Sequence, residues 1–337
     1  MAAAFNLHSL SILKSPSRIS SIDFFRALAI LAVIFCHFGH KVNFGYLGVD
    51  LFFVISGFLV GGIVVRTTTE GKHTSFLKFI LQRGFKIWPS YYFFILILFW
   101  YERGFSWNAM AKYLFFYQNY TGEPSHIWSL CVEEHFYILL PLLFIVIQKF
   151  EGNMKITMMK ATVWSLIIAG ILFKFVSYYY TKSHATFAAT HNRLDGLAWG
   201  VLLAIRLSEN PYVKRTWLYV VAGIIILSAS IAASVYSLYF ENLFLNSLAP
   251  IAFYLIMRGL YYVDFSRLRI LRFISYYSYN IFLWHALVGG LIIDKLGFSI
   301  LTLIVYLISA VLVGAAATIL IEEPFLRLRG SLRFLKT

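Results

Sequence analysis

The chain has 337 residues, of which 60% are hydrophobic and only 13% charged, and its mean hydropathy is +0.75. So little charge, combined with repeated long apolar runs, excludes an ordinary soluble domain and predicts an all-α polytopic membrane protein. In a soluble protein, a formal net charge of +14 would suggest a nucleic-acid partner. Here the basic residues fall between apolar runs, so the positive-inside rule explains them and we expect no nucleic acid.

Ten apolar runs are predicted to be transmembrane helices, because irregular backbone facing lipid would leave its polar groups unpaired. In chain order they cover residues 22–40, 46–65, 87–101, 127–148, 161–180, 192–207, 217–236, 242–258, 272–292 and 298–321. We interpret the whole chain, 1–337, as a single integral membrane domain. It has a short tail over 1–20 and a basic tail over 325–337.

The charges between the runs predict the orientation in the membrane. Of the 29 Lys and Arg residues, twenty-two flank one set of helix ends, six flank the opposite set, and Lys174 lies within a span. Basic flanks stay in the cytoplasm. We therefore expect both termini in the cytoplasm, in a multi-pass protein of the cytoplasmic (inner) membrane.

The first span carries two ionisable side chains on one face. Eleven residues separate Arg26 from His37, which places them about 16 Å apart along a helix. Arg26 either reaches the interface or has a function. His37 lies too deep in the predicted span to reach water, so it is either a packed neutral histidine or a general base. Asp50, at the start of the next span, is predicted to fix the tautomer of His37 and stabilise its protonated form.

A second basic feature lies in the stretch 76–92, FLKFILQRGFKIWPSYY, which is typical of an interfacial helix running into a span. Arg83 and Lys86 are three residues apart and therefore lie side by side on that helix. Such a pair suits a phosphate-bearing cofactor. Anchoring to the anionic headgroups of lipids is the alternative, and basic residues next to a membrane span commonly have that role.

Two adjacent acids lie just inside the outer end of the fourth predicted span. Glu133 and Glu134 follow each other in WSLCVEEHFYILLPLL, so their side chains point about 100° apart on a helix. We therefore expect only one of them to face the same interior as His37.

Two further polar positions lie within apolar runs. Arg193 and Asp195 form either a structural ion pair or part of a binding site for an acceptor substrate. His285, in SYYSYNIFLWHALV, either satisfies buried hydroxyl groups or contacts that substrate. We expect no metal site.

Taken together, these stretches resemble acyltransferase family 3, the integral-membrane O-acyltransferases that include O-antigen and peptidoglycan O-acetyltransferases. Arg26 and His37 match the family's signature of Arg, ten residues and His. Further blocks follow in the family's order: GVDLFFVISGFLV at 48–60, RGFKIWPSYY at 83–92, WSLCVEEHFYILLPLL at 128–143, NRLDGLAWGVLLA at 192–204, SYYSYNIFLWH at 275–285 and IEEPFLRLR at 321–329. The family's Arg-x-x-Arg appears here as Arg83 and Lys86, and Lys lacks the planar fork of Arg.

The resemblance implies transfer of an acyl group, most often acetyl from cytoplasmic acetyl-CoA, to a carbohydrate hydroxyl outside. The acceptor is expected to be the O-antigen of lipopolysaccharide, another surface polysaccharide or a lipid-linked glycan. The implied site residues are Arg26, Arg83 and Lys86 for the donor, His37, Asp50 and Glu133 for catalysis, and Glu134, Arg193, Asp195 and His285 for the acceptor. Either direct transfer or a transiently acylated His37 fits this site.

A non-enzymatic interpretation competes with this one. In a proton-coupled transporter or flippase, His37, Asp50 and Glu133 would form a proton relay. The two interpretations differ at Arg83 and Lys86, because a CoA-dependent enzyme needs a polyanion site there and a relay does not. Membrane lipids are expected partners in both cases.

Overall fold

The computed structural model describes residues 19–38, 44–71, 75–101, 106–121, 126–181, 187–210, 214–237 and 240–332, except for the side chain at 242. Over these residues the protein is all-helical, as predicted. Most of the predicted tail over 1–20, and the last five residues of the tail over 325–337, lie outside the described residues.

The apolar runs form the helices of a bundle. In chain order these are α1 (Ser20–His37), α2 (Leu47–Thr69), α3 (Phe76–Tyr101), α4 (Trp107–Leu114), α5 (Trp128–Ile147), α6 (Gly152–Thr181), α7 (Leu194–Glu209), α8 (Thr216–Val235), α9 (Asn246–Leu260), α10 (Arg269–Leu296), α11 (Ile300–Ala317) and α12 (Glu323–Ser331). Two π-helical turns, Glu241–Leu245 and Thr318–Glu322, lead into α9 and α12.

Seven stretches of the described chain are long and apolar enough to cross a membrane. They are α1, α2, α5, α6, α8, Leu243–Leu260 and Ile300–Ser331. The other predicted spans are also helical, with 26 residues in α3, 16 in α7 and 28 in α10. The chain is a multi-pass membrane protein, while the count of ten spans and the orientation of the termini stay predictions.

Three boundaries differ from those predicted. The first helix ends at His37, and Gly39 follows shortly after, a common stop signal. The loop after α3 contains α4, whose N-terminus is capped by Ser106. The chain beyond 325 continues as α12 up to Ser331, because the Arg329 side chain donates to the Gln82 carbonyl of α3 at 3.1 Å and holds the segment on the bundle.

The helices α2 and α7 pack with their backbones in direct contact. A Cβ atom added to Gly57 would lie 1.9 Å from the Leu197 carbonyl oxygen, and one added to Gly200 would lie 2.1 Å from the Val54 carbonyl oxygen. Helices in membranes approach this closely only through small residues. Of the seven candidate spans, α2 is the most deeply buried, at 78%, so it forms the centre of the bundle.

The helices α1 and α10 run parallel. Arg26 of α1 donates to the Ser278 hydroxyl of α10, and eleven residues further along α1 the ring of His37 meets that of His285. The contacts follow the same order along both helices, so both cross the bundle in the same direction. We call the end near Arg26 the basic end and the end near His37 the histidine end.

Candidate active site

Two cavities among the described helices are lined by side chains singled out in the sequence analysis. The basic cavity, lined by Arg26, measures about 100 Å³, and the histidine cavity, lined by His37, measures about 430 Å³. Val49 of α2 and Phe282 of α10 line both. These two apolar side chains therefore form a partition between the cavities.

Cations from two helices converge on the basic cavity. Arg26 of α1 lines it together with Arg83 and Lys86 of α3. Arg26 is oriented by its 2.9 Å hydrogen bond to the Ser278 hydroxyl. The three residues predicted to bind the donor thus share one cavity, and their charges suit a polyanionic ligand.

Glu133 lies on the wall of the basic cavity. The Tyr137 hydroxyl donates to Glu133 Oε2 at 2.5 Å, and Ser56 Oγ lies 2.5 Å from the same hydroxyl oxygen. Since the only hydroxyl proton of Tyr137 goes to Glu133, the Ser56 hydroxyl donates to Tyr137. The Arg83 guanidinium stacks 4.5 Å above the Tyr137 ring, a cation–π contact. Glu133 therefore belongs to the donor side of the partition and not to the surroundings of His37.

Glu134 points in a different direction, as two adjacent helical positions must. Its Oε2 atom accepts a hydrogen bond from Trp88 Nε1 at 3.1 Å. The side chain is buried between α5 and α3. Only Glu133 of the two acids lines a described cavity, and the contacts of Glu134 are those of a structural residue.

His37 is the last residue of α1, and its exposed ring lines the histidine cavity. The helix ends at His37 itself, three residues before the end of the span predicted over 22–40, so the ring lies at the helix terminus. Nδ1 lies 2.9 Å from the Val33 carbonyl oxygen, which can only accept a hydrogen bond. We therefore assign the proton to Nδ1, which leaves Nε2 as the basic nitrogen.

Asp50 pairs with Arg193 rather than with His37. Arg193 Nη2 donates to Asp50 Oδ1 at 2.6 Å, and both side chains are buried. The carboxylate has this partner because α7 packs against α2, and a buried guanidinium needs a counter-charge more than a neutral ring does. The tautomer of His37, assigned to Asp50 from the sequence, is set by the Val33 carbonyl.

Asp195 also has a partner other than the one predicted. Lys174 Nζ of α6 donates to Asp195 Oδ2 at 2.5 Å, to the Asn246 carbonyl oxygen at 2.8 Å and to Ser247 Oγ at 3.2 Å. These bonds join α6, α7 and α9. The expected structural ion pair exists, but its cation is Lys174 and not Arg193. The position of Lys174 within a predicted span was the signal for this ion pair, since a charge buried in a membrane span requires an acidic partner.

Two more histidines lie near His37: His285 is packed behind it, and His126 lines the histidine cavity with it. His285 is fully buried, and its Nδ1 donates to the Phe282 carbonyl oxygen at 2.6 Å, while its Nε2 lies 3.4 Å from His37 Nδ1. The ring of His126 stands perpendicular to that of His285, with 5.3 Å between centroids. Burial lowers the pKa of His126 to about 4, so this ring is neutral at neutral pH. Sequence reasoning missed His126, because its loop position gave no sign of burial.

The rest of the histidine cavity combines aromatic and polar groups. Trp128 and Phe187 meet edge to face, with 5.0 Å between ring centroids. The Tyr46 hydroxyl donates to Glu241 Oε1 at 2.9 Å, and Asn246 completes this wall. Apolar rings beside hydrogen-bonding groups can hold a sugar ring and its hydroxyls. Among the described residues, no group of three or more His, Cys, Asp or Glu is placed to hold a metal ion.

These features define a multi-pass membrane protein with a polycationic cavity and a histidine cavity on either side of an apolar partition. A family model described as an acyltransferase domain matches residues 19–322. The chain belongs to this acyltransferase family, as the order of its sequence blocks indicated.

The curated relatives that the chain matches are also acyltransferases. A peptidoglycan O-acetyltransferase, OatA of Listeria monocytogenes, is 26% identical over 307 residues, which cover 80% of this chain and 49% of that protein. An O-acetyltransferase, OatA of Staphylococcus aureus, is 26% identical over 214 residues, or 56% of this chain and 35% of that protein. The chain thus spans half or less of the length of these relatives. No solved structure matches it significantly.

Proposed function

We propose that the protein is a membrane-bound O-acetyltransferase that transfers acetyl from cytoplasmic acetyl-CoA to a hydroxyl of a cell-envelope polysaccharide outside. The pair of cavities is the observation that carries this proposal. Cations line one cavity, a histidine with a free basic nitrogen lines the other, and two side chains separate them. Membership of the acyltransferase family supports the reaction class.

The donor binds at the basic end, which faces the cytoplasm in this proposal because most Lys and Arg residues flank that side. Arg26, Arg83 and Lys86 bind the phosphates of coenzyme A there. The donor supplies an activated acetyl thioester at the end of a long flexible arm. That arm bridges the separation of about 16 Å along α1 between Arg26 and His37.

The acceptor binds in the histidine cavity. His37 Nε2 takes the proton of the acceptor hydroxyl while the hydroxyl oxygen bonds to the acetyl carbon. The carbon–sulfur bond breaks, and His37 returns the proton to the departing sulfur. His37 is thus the catalytic residue in a direct transfer. The name of the Listeria relative makes peptidoglycan the first acceptor to test, with O-antigen or another surface polysaccharide as alternatives.

The transporter interpretation fits the structure less well. A proton relay needs His37, Asp50 and Glu133 to follow one another along a single path. Glu133 lies in the basic cavity, His37 lies across the partition, and Asp50 is held by Arg193. The three groups therefore lie in three separate environments and do not form one path for a proton.

Mass spectrometry of cell-envelope glycans tests the reaction. Cells that carry the protein should contain glycans heavier by one acetyl group, and the His37→Ala variant should lack them. His191→Ala is the matched control, because His191 packs against Tyr120 outside both cavities. Unchanged acetylation in the His37→Ala variant would overturn the proposal, and acetylated His37 trapped without acceptor would replace direct transfer by a two-step route.

Steady-state kinetics with purified protein test the donor site. Arg83→Gln should raise the KM for acetyl-CoA about tenfold or more, since a charge-assisted hydrogen bond to phosphate contributes about 1.5–3 kcal/mol. Lys149→Gln removes an exposed cation between α5 and α6, which lies outside the basic cavity, and should leave this KM unchanged. Equal effects of both variants would place the donor elsewhere.

A further inference from the structure

The catalytic histidine of the proposed reaction has a second histidine as its neighbour. His37 Nδ1 faces two acceptors: the Val33 carbonyl oxygen at 2.9 Å and His285 Nε2 at 3.4 Å. The two rings meet edge to face, with centroids 4.8 Å apart and planes 79° apart. The two rings are therefore in direct contact, and the His37 Nδ1 and His285 Nε2 atoms lie on the sides that meet.

The backbone fixes which nitrogen of His285 is free to accept. Its Nδ1 lies 2.6 Å from the Phe282 carbonyl oxygen, so this nitrogen carries the proton and Nε2 keeps its lone pair. His126 is fixed in the same way, because its Nε2 donates to the Leu283 carbonyl oxygen at 3.0 Å. Two consecutive backbone carbonyls of α10 thus orient His285, which lies behind His37, and His126, which lines the histidine cavity beside it.

We propose that His285 is a positioning residue, which accepts the Nδ1 proton of His37 in a hydrogen bond and so keeps Nε2 basic and aimed into the histidine cavity. This inference rests on the proposed function. When His37 takes a proton at Nε2, its positive charge spreads to Nδ1 and the bond to His285 strengthens. His285 thus takes the place that a carboxylate holds behind the histidine of a Ser-His-Asp triad.

His285 also connects the catalytic base, His37, to the partition. The Phe282 side chain separates the two cavities, and its carbonyl oxygen holds His285. The position of the base and the position of the wall are therefore set by one turn of α10. His285 itself lines neither cavity, so it acts through His37 and not on the acceptor, the role expected for it from the sequence.

A pair of amide substitutions tests this role. The side chain of His285→Gln can reach His37 and present an oxygen that accepts its Nδ1 proton, whereas His285→Asn is one carbon shorter and cannot. We expect the Asn variant to lower kcat about tenfold to a hundredfold, within the range that a correctly poised base contributes. The Gln variant should stay within about threefold of wild type, and both should keep the KM for acetyl-CoA.

The outcomes separate this inference from the proposed function. Wild-type kcat in the Asn variant, or an equal loss in Asn and Gln variants that both melt like wild type, would overturn the role of His285. Absence of acetyl transfer by the wild-type protein would instead overturn the proposed function. Tyr306→Phe is the control for loss of a buried polar group, because this hydroxyl makes no hydrogen bond within the described chain, and it should leave kcat unchanged.

Discussion

At the scale of single residues, the described part of the bundle contains two buried ion pairs whose charges cancel. Asp50 is paired with Arg193 and Asp195 with Lys174, and all four side chains are buried. An unpaired charge at this depth costs several kcal/mol. The two ion pairs therefore permit α2, α6 and α7 to carry polar side chains within apolar surroundings.

Removing one member of a pair should be worse than removing both. We expect Asp195→Asn to lower the free energy of unfolding by about 3–5 kcal/mol, because it leaves the Lys174 ammonium buried without a counter-charge. The double variant Asp195→Asn with Lys174→Met should recover part of that loss. Thermal unfolding in detergent measures both changes, and strictly additive losses would show that the pair is not coupled.

An exposed ion pair provides a comparison for the buried pair of Lys174 and Asp195. Glu209 bridges Arg206 and Lys160 at the surface of the bundle. Such pairs contribute about 1 kcal/mol or less. Glu209→Gln should therefore shift the unfolding temperature far less than Asp195→Asn does.

The sequence predicted which polar side chains lie together on one helix, but not how side chains pair between helices. Arg26 and His37 share one helix, as do Arg83 and Lys86, so helical spacing was enough to place each pair of residues. The partners of Asp50 and Asp195 lie on other helices. Their identity depends on which helices are neighbours, and apolar runs that face lipid or protein alike give no information on that.

At the scale of secondary-structure elements, the contact between α2 and α7 fixes the geometry of the site. Asp50 near the start of α2 meets Arg193 at the start of α7, and Gly57 and Gly200 bring the two backbones together. The histidine cavity takes both Val49 and Arg193 as walls. A change in the spacing of these helices therefore changes the cavity.

Adding one methyl group tests this contact. Gly57→Ala should lower the free energy of unfolding by about 1–3 kcal/mol or more, because its Cβ would overlap the Leu197 carbonyl. Gly62→Ala is the matched control on the same helix, since its Cβ would lie 3.9 Å from Ala204 Cβ in ordinary contact. Equal melting temperatures for the two variants would contradict the close packing.

The long helices were predictable, and the short ones were not. Apolar runs of spanning length give α1, α2 and α5 within a few residues. The eight-residue α4 has too few apolar positions to stand out among the aromatic residues around it. The helix α12 has a basic sequence typical of a solvated tail, and it is held on the bundle by the contact between Arg329 and Gln82, which no local pattern shows.

At the scale of the whole molecule, the two ends of the bundle are chemically different. The basic end collects cations around a small cavity, and the histidine end holds a larger cavity with aromatic walls. The parallel helices α1 and α10 supply residues to both cavities. One pair of helices therefore links the proposed donor side to the proposed acceptor side.

Cysteine labelling tests the orientation of the two ends. In a background lacking Cys36 and Cys131, Asn108→Cys on α4 should react with a membrane-impermeant maleimide in intact cells. Ser75→Cys, before α3 at the basic end, should react only after permeabilisation. Both positions are exposed in the structure. The reverse pattern of labelling would place the basic end outside and exclude cytoplasmic acetyl-CoA as the donor.

The partition of Val49 and Phe282 has an electrical consequence. A water-filled path open to both faces of a membrane would let protons through and discharge the potential across it. An apolar constriction resists wetting and so blocks hydrated ions. In the proposed reaction, chemistry at this wall would pass a two-carbon group from one side of the membrane to the other while the bilayer stays insulated, so acetylation of the envelope would not discharge the ion gradients of the cell.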